Sequence, residues 1–456
     1  MPGIPVYRSR DHQQWEALPH VIPDSRTLPF AESEVDAGLY APGLRHDGKR
    51  FLLACTLVHR HTRRHHNFIC TSKDPTEGWS DPVRLPRDLG QVDPTPFVED
   101  DGSLWLVLNA APTEGVPNLG NRSIRLWELD PSSLQPKQGP FTLWHGAMMN
   151  APHPEGPRLF KKDGWYWLMI SEGGTGPMHA ITMARSRKIT GPYEGCLANP
   201  LLTHRHLGPK EPIQCIGHAD FLQDENETWH GICLAERVGS GHRLMGRETW
   251  TFPMEWDKDH WPVLCPQTGK LPPESHPVSP FRENSWISLR KAPGEITTSL
   301  SSSEISLPAR SADWTDPREI PALVAKRVTA LTGRWSVSLH TEHRPERFGI
   351  ILFAKESAWL VLEIGPRNIQ CRGPEQAIFG EPLVVNTDSR VLTFEWQAGE
   401  LRAKAGDQII YAGSKGLETI DHARFTGLVA GIWAQGTSGS ITARILIAEG
   451  VDHHNP

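Results

Sequence analysis

The chain has 456 residues and a formal net charge of −6 at pH 7, so no basic face for nucleic acid is expected. No apolar run approaches the length that a membrane-spanning helix needs, and no signal peptide is visible in residues 1–30. The seven cysteines, an odd number without a CxxC pair, argue against a disulfide framework and a structural zinc site, and they favour a reducing, cytoplasmic compartment.

The first predicted element is a polar strand at residues 7–11, followed by an aromatic residue at Trp15. A similar pattern recurs at residues 71–79 and at residues 184–193. Each copy predicts an outer strand of a repeated β unit. An outer strand needs the inner strands of its own unit to pair with, and the first copy lies at the N-terminus. We therefore expect the chain to begin partway through its first unit.

A second pattern occurs four times between residues 39 and 233. In each copy a strand entrance precedes a tight turn by eight positions, and a second apolar strand follows the turn. The turns contain Asp47-Gly48, Asp101-Gly102, Asp163-Gly164 and Asp224-Glu225-Asn226. Recurrence of all-β units at intervals of about 60 residues is typical of a β-propeller, and this is the fold that we predict for residues 1–264.

The strand entrances of these repeats carry the candidate functional residues. In a propeller, the innermost strand of every blade begins beside the central axis, so residues at the equivalent position converge although they lie far apart in sequence. Asp93, Glu155 and His218 occupy this position in three repeats, and the aromatic Tyr40 lies at the fourth entrance. We expect the first three to meet in one pocket and Tyr40 to form part of its wall.

A second domain is predicted after the propeller. Residues 265–312 are rich in Pro and Ser, which predicts a connector and the start of the second domain. Residues 313–456 contain short runs in which apolar and polar residues alternate, a pattern typical of an antiparallel sandwich. The runs are residues 335–340, 348–353, 359–364, 391–396, 425–432 and 441–447.

The two acidic entrances indicate a possible chemistry. Cleavage of a glycosidic bond needs one carboxylic acid that protonates the leaving oxygen and one carboxylate that activates water or attacks carbon. Glu155 is the predicted acid, because burial in a pocket raises the pKa of a carboxyl group. Asp93, one blade away, is predicted to orient the Glu155 proton. Each could alone be an ordinary turn or loop carboxylate, but their shared position in the repeat favours the functional interpretation.

Two further residues have two interpretations each. His218 could be a hydrogen-bonded core histidine or an axial ligand. Arg247, which lies with Glu248 in the last predicted strands of the propeller, could bind sugar hydroxyls or form a structural ion pair. Both pairs of interpretations stay open on the sequence alone.

Over nearly its entire length the chain resembles glycoside hydrolase family 43, which includes β-xylosidases and α-L-arabinofuranosidases. The stretches that carry the resemblance are residues 5–11, 39–42, 92–94, 154–157, 171–186, 217–218, 246–249 and 425–427. The resemblance implies an all-β fold, in which a five-bladed β-propeller, here with an incomplete first blade, is followed by a concanavalin-like antiparallel β-sandwich.

The resemblance also implies roles for the candidate residues. Hydrolysis would proceed with inversion, with Glu155 as the general acid and Asp93 as a modulator of its pKa. Arg247 would contact the substrate, and Phe425 of the second domain would reach the pocket wall. No cofactor is required, but a calcium ion near the propeller axis would have His218 in its site.

The sequence departs from the family pattern at the general base. In the family an Asp on the first blade activates water, in a segment upstream of the strand at Tyr7, and this chain starts too late to contain it. The sequence therefore predicts an exo-acting, β-xylosidase-like hydrolase of xylan-derived oligosaccharides with impaired turnover. A non-catalytic sugar-binding protein and an α-L-arabinofuranosidase are the alternatives. No nucleic-acid or membrane partner is expected.

Overall fold

The fold was obtained as a computed structural model. It describes residues 3–11, 14–23, 27–28, 35, 37–59, 62, 64–111, 122–148, 151–272, 286–384, 391–397, 399–421 and 425–451. These residues form an all-β chain with one short α-helix, α1 (Lys415–Ile420), and 3₁₀ turns at Arg87–Leu89, Pro293–Glu295 and Pro374–Gln376. Within these ranges, no helix has the length and apolar character required to cross a membrane.

Four antiparallel sheets of four strands follow one another along the first part of the chain, after a two-stranded sheet of β1 (Val6–Arg8) and β2 (Glu16–Leu18). In every four-stranded sheet the spatial order follows the chain order. The strands are β3 (Gly38–His46), β4 (Phe51–His59), β5 (Arg64–Ser72) and β6 (Val83–Arg84); β7 (Thr95–Val98), β8 (Leu104–Ala110), β9 (Ser123–Leu129) and β10 (Pro136–Trp144); β11 (Glu155–Lys162), β12 (Trp165–Glu172), β13 (Ala180–Ser186) and β14 (Glu194–Gly195); and β15 (Ile213–Gln223), β16 (Trp229–Arg237), β17 (Arg247–Trp256) and β18 (Pro262–Leu264).

The predicted repeats are confirmed as blades of a propeller. Each predicted turn joins the first two strands of a sheet, and Gly48, Gly102 and Gly164 adopt the positive φ angles of 85°, 85° and 72° that such turns require. In three of the four turns the carboxylate of the leading Asp also accepts backbone N–H groups, as Asp47 does from Lys49 at 2.9 Å. The spacing of these residues therefore sets the register of each hairpin.

Apolar seams join neighbouring blades, because each blade buries both of its faces. Leu52 and Ile69 of one blade pack with Leu106 of the next. The final seam is aromatic, with Trp167 fully buried and stacked on Phe160 at a centroid distance of 6.2 Å. The small β1–β2 sheet joins the following blade in the same way, so the four seams hold five sheets in sequence.

The inner strands are also tied together at the axis by charge. Asp220 of β15 accepts two hydrogen bonds from Arg45 of β3, at 2.7 and 3.0 Å, and lies 3.2 Å from the Nε of Arg158 in β11. Arg158 in turn donates to the Thr95 hydroxyl of β7 at 2.5 Å. One axial ion network thus links the inner strands of all four complete blades.

The second domain is a sandwich of two seven-stranded sheets. Its core contains Trp335 and Trp396, both almost fully buried. The sheet orders are β19-β22-β31-β24-β25-β26-β27 and β20-β21-β32-β23-β28-β29-β30, with β19 (Ile287–Ser288), β20 (Ser299–Leu300), β21 (Glu304–Pro308), β22 (Ala322–Arg327), β23 (Gly333–His340), β24 (Arg347–Lys355), β25 (Ala358–Ile364), β26 (Asn368–Arg372), β27 (Ile378–Val384), β28 (Val391–Gln397), β29 (Glu400–Ala405), β30 (Gln408–Gly413), β31 (Val429–Gln435) and β32 (Ser440–Glu449). Strands β19 to β21 lie within residues 265–312, in the predicted connector and start of this domain.

One predicted strand of the sandwich begins later than expected. The pattern placed it at residues 425–432, but β31 starts at Val429. The preceding residues are held against the propeller instead, since Leu428 donates its N–H to the Leu244 carbonyl at 2.7 Å. Gly427 has a φ of 77°, and a Cβ there would lie 2.4 Å from the Met245 carbonyl oxygen. This close approach brings the sandwich to the edge of the propeller pocket.

Candidate active site

Asp93 lies two residues before β7, in a backbone conformation that is uncommon for a residue with a side chain. Its φ is 62°, and the residue is 3% exposed. Its carboxylate accepts the N–H of Gly156, on the neighbouring blade, at 2.9 Å. Because Gly156 follows Glu155 directly, this bond joins the two acidic entrances. The structure therefore brings together the two carboxylates that the repeat predicted to converge.

Glu155 is the first residue of β11, opposite Ser171 in β12, and is half-buried. Burial raises the pKa of Glu155 to about 8, and the negative charge of Asp93 acts in the same direction. The guanidinium groups of Arg122 and Arg247 oppose this shift in the pKa. At neutral pH the Glu155 carboxyl therefore carries a proton that it can donate.

Asp93 titrates before its neighbour. Burial raises the pKa of Asp93 to about 6, while the Gly156 N–H and the charges of Arg158 and Arg247 act in the opposite direction. Between about pH 6 and about pH 8, Asp93 is thus ionised while Glu155 is protonated. When the pKa values of two neighbouring carboxyl groups differ in this way, one group can donate a proton while the other stays charged.

His218 lies at the axis, next to the two carboxylates. Its ring covers Gly156, where an added Cβ would lie 2.9 Å from the imidazole Cε1. Burial holds the pKa of His218 well below its ordinary value, and the charges of Arg158 and Arg247 act in the same direction. His218 is therefore a neutral imidazole that packs against the backbone of the acid's strand, and within the described part of the chain its buried Nε2 has no hydrogen-bond partner.

The surroundings of His218 do not fit a calcium ion. Calcium prefers six to eight oxygen ligands, whereas His218 faces the two guanidinium groups that lower its pKa. Within the described parts of the chain, no group of three or more His, Cys, Asp or Glu residues could hold a metal. Calcium at the axis stays a prediction that these charges disfavour, and no step below depends on it.

Arg247, Tyr40 and Phe425 form the side of the pocket nearest to the sandwich. The Arg247 guanidinium lies 4.6 Å from the centre of the Phe425 ring, and Tyr40 is near enough for its phenol to act on the pKa of Arg247. Adjacent Glu248 pairs with Arg237, at 2.7 Å. Among the residues that the structure describes, the buried Nε of Arg247 has no hydrogen-bond partner, so it is available to a ligand hydroxyl.

Two charged residues near the carboxylates were missed by the sequence analysis. Arg122 precedes β9, and its charge acts on both Asp93 and Glu155. Arg158 is 5% exposed and lies below Asp93 in the axial network. A signal for Arg158 existed, because it is a charged residue three positions after Glu155 in a strand with apolar neighbours. Arg122 lies outside the repeated pattern and gave none.

The model of one protein family, described as glycosyl hydrolases family 43, matches residues 1–262, which is more than half of the chain. The chain belongs to this family. Among curated relatives, a xylosidase/arabinosidase of Butyrivibrio fibrisolvens is 36% identical over 60% of this chain and 52% of its own length. A xylan 1,3-beta-xylosidase of a Vibrio species is 28% identical over 83% of this chain and 77% of its own length.

Solved structures of family 43 share the two-domain fold. A xylan beta-1,4-xylosidase from Bacillus halodurans superposes with a TM-score of 0.82 over 97% of this chain and 93% of that chain, at 23% identity. The chain spans about half the length of the first curated relatives that it matches, between 47% and 52%. The structural match confirms the predicted fold, a propeller followed by a sandwich.

Asp93→Asn should move the pH dependence of the site. Because the charge of Asp93 raises the pKa of Glu155, we expect its removal to lower that pKa and to shift the alkaline limb of kcat/KM towards lower pH. The acidic limb near pH 6, which reports ionisation of Asp93, should disappear. A pH profile between 4 and 10 on an aryl xyloside measures both limbs; unchanged limbs would contradict the assigned role.

Proposed function

We propose that the propeller pocket is the active site of an exo-acting glycoside hydrolase that removes single xylose units from xylan-derived oligosaccharides. The observation that carries this proposal is the half-buried Glu155 carboxyl, whose pKa is raised to about 8 beside a buried Asp93. A protonated carboxylic acid at the axis suits protonation of a glycosidic oxygen. Membership of family 43 and the xylosidase names of several relatives support the same conclusion.

In the proposed mechanism Glu155 transfers its proton to the glycosidic oxygen while the bond from that oxygen to C1 breaks. Water attacks C1 from the opposite face and gives up a proton to a carboxylate, which yields the inverted sugar. Asp93 does not suit that last role, because it is 3% exposed and bonded to the Gly156 amide. Its charge keeps Glu155 protonated, and Arg247 binds sugar hydroxyls.

The sandwich supports an exo mode of action. Phe425 lies against Arg247, on the side nearest to the sandwich, and this position favours entry of a sugar chain by its end. The carboxylate that activates water is assigned to the segment upstream of the strand at Tyr7, and we give that role to none of the described residues. This assignment follows the family resemblance, and it makes the acid half and the water half of the reaction separately testable.

Arabinofuranoside hydrolysis is a second candidate. The relative from Butyrivibrio fibrisolvens is named for both sugars, and a relative from Bacteroides ovatus is named a non-reducing end alpha-L-arabinofuranosidase. Xylose and arabinose are both neutral pentoses, and the charged groups around Glu155 would serve either glycoside.

The proposal is tested with phenyl β-D-xyloside and phenyl α-L-arabinofuranoside, whose leaving group needs a proton, with and without sodium azide. Azide attacks C1 without a general base, so it reveals an intact acid half even where water is poorly activated. We expect turnover that is lost in Glu155→Gln and kept in Glu255→Gln, a matched change at an exposed position of β17. Sugar binding without Glu155-dependent turnover in either condition would instead indicate a non-catalytic sugar-binding protein.

A further inference from the structure

Three consecutive residues at the end of β12 contact the segments that surround Glu155. Ser171 is the register partner of Glu155, and its hydroxyl accepts the N–H of His218. Glu172, the last residue of the strand, is fully buried. The N–H of Gly173 donates to the Pro152 carbonyl at 2.9 Å. Three consecutive residues thus contact the acid's strand, the axial histidine's strand and the connection that leads into β11.

Glu172 holds the first half of that connection, which runs from β10 to β11 and is described for residues 145–148 and 151–154. Its carboxylate accepts the N–H groups of Ala147 and Met148, at 2.6 and 3.0 Å. A third bond, from the Thr182 hydroxyl at 2.7 Å, fixes the carboxylate on its own blade. A buried carboxylate with three donors is a stiff anchor, since charge-assisted hydrogen bonds are stronger than neutral ones.

The backbone of the connection is shaped to receive this carboxylate. Gly146 has a φ of 100°, and a Cβ at that position would lie 2.8 Å from the Glu172 Oε1. A side chain there would displace the carboxylate, so glycine permits the approach. The connection is therefore held at two points, by Glu172 at its start and by Gly173 near its end, immediately before Glu155.

The neighbouring blade uses the same arrangement. Asn109 is fully buried near the end of β8, the second strand of its blade, as Glu172 is in β12. Its side-chain oxygen accepts the N–H of Val92 at 3.1 Å, directly before Asp93. In both blades a buried polar side chain at the end of the second strand holds the segment that delivers a pocket carboxylate.

We infer that Glu172 is a positioning residue, which fixes the connection between β10 and β11 and thereby places Glu155 for proton transfer. The catalytic consequence rests on the proposed function, whereas the anchoring of the backbone does not. If the acid is displaced, the rate falls most for substrates whose leaving group needs a proton and least for substrates whose leaving group does not. A loss of folded protein, by contrast, lowers the rates of all substrates equally.

The test compares Glu172→Ala and the milder Glu172→Gln with Thr182→Val, which removes the third bond but leaves both backbone bonds of the anchor in place. We expect Glu172→Ala to lower kcat for phenyl β-xyloside by about 100-fold, because small misplacements of a reacting group have effects of that size. The rate for 2,4-dinitrophenyl β-xyloside, whose leaving group needs no proton, should change less than about 3-fold. Thr182→Val, which weakens the anchor without removing it, should change the ratio of the two rates in the same direction but less, and Glu255→Gln should leave the ratio unchanged.

Hydrogen exchange at the Ala147 and Met148 amides supplies a second readout that does not depend on activity. Glu172→Ala should accelerate exchange there by about 10-fold or more, and Glu172→Gln by less. Equal rate losses on both substrates, or unchanged exchange, would overturn the inference. If the unaltered chain turns over neither substrate, even with azide, the proposed function fails, and exchange alone decides whether Glu172 anchors the connection.

Discussion

Glu155→Gln will lower kcat/KM for xylobiose by about 1,000-fold or more, while the rate for 2,4-dinitrophenyl β-xyloside falls far less. The sugar that leaves xylobiose is a poor leaving group and needs the proton that Glu155 carries at neutral pH. Dinitrophenolate is stable as an anion and leaves without one. Glutamine keeps the size and polarity of the side chain but has no acidic proton. Steady-state kinetics at pH 7, with azide where water activation is weak, measure both rates.

The ratio of the two rates distinguishes an acid from a binding residue. Loss of a substrate contact would lower both rates by a similar factor, because both substrates present the same sugar. The alkaline limb of the pH profile, near the raised pKa of Glu155, should also vanish in Glu155→Gln. An equal loss on both substrates would contradict the assignment of Glu155 as general acid, and Glu255→Gln is the control that should alter neither rate.

Asp220→Ala will destabilise the propeller by about 3 kcal/mol. Asp220 lies between Arg45 and Arg158, and its loss leaves two guanidinium groups at the axis without their carboxylate. Burial alone would raise the pKa of Asp220, but the two arginine charges outweigh it and hold that pKa below its ordinary value. Urea unfolding followed by tryptophan fluorescence measures the loss.

The same substitution at Asp224 is the matched control. Asp224 lies four residues further along the chain, in an exposed turn where it pairs with His230, and Asp224→Ala should have a much smaller effect. A second variant tests the cause, since Asp220→Asn keeps the shape of the side chain but removes its charge and should also destabilise the propeller. Equal stabilities of Asp220→Ala and Asp224→Ala would show that the axial network does not hold the blades together.

The repeat in the sequence was sufficient to predict the fold of the propeller and the approach of Asp93 to the strand that begins with Glu155. Turn residues such as Asp101-Gly102, and strand entrances eight positions before each turn, depend on local backbone geometry, and the sequence encodes that geometry directly. Symmetry then brings Asp93 and Glu155 together without any knowledge of contacts. For the same reason the analysis found Tyr40 and His218, which occupy equivalent positions in other blades.

The residues that the sequence did not reveal act through tertiary contacts. Arg158 and Glu172 are charged residues in apolar strands, and their importance depends on partners ten or more positions away: Asp220 for Arg158, and Ala147 and Thr182 for Glu172. In the sandwich, long alternating strands were predicted well. Short or irregular strands such as β26 and β30 were missed, because two or three apolar residues give too little pattern to distinguish from a turn.

The most direct measurement is a crystal structure of the Glu155→Gln variant with xylobiose. The account predicts one sugar ring at the propeller axis, with its glycosidic oxygen about 3 Å from the side-chain amide at position 155 and a hydroxyl bound by Arg247. Asp93 should still accept the Gly156 N–H beneath it. Xylobiose bound away from the axis, or Asp93 and residue 155 facing opposite sides of the propeller, would contradict the account.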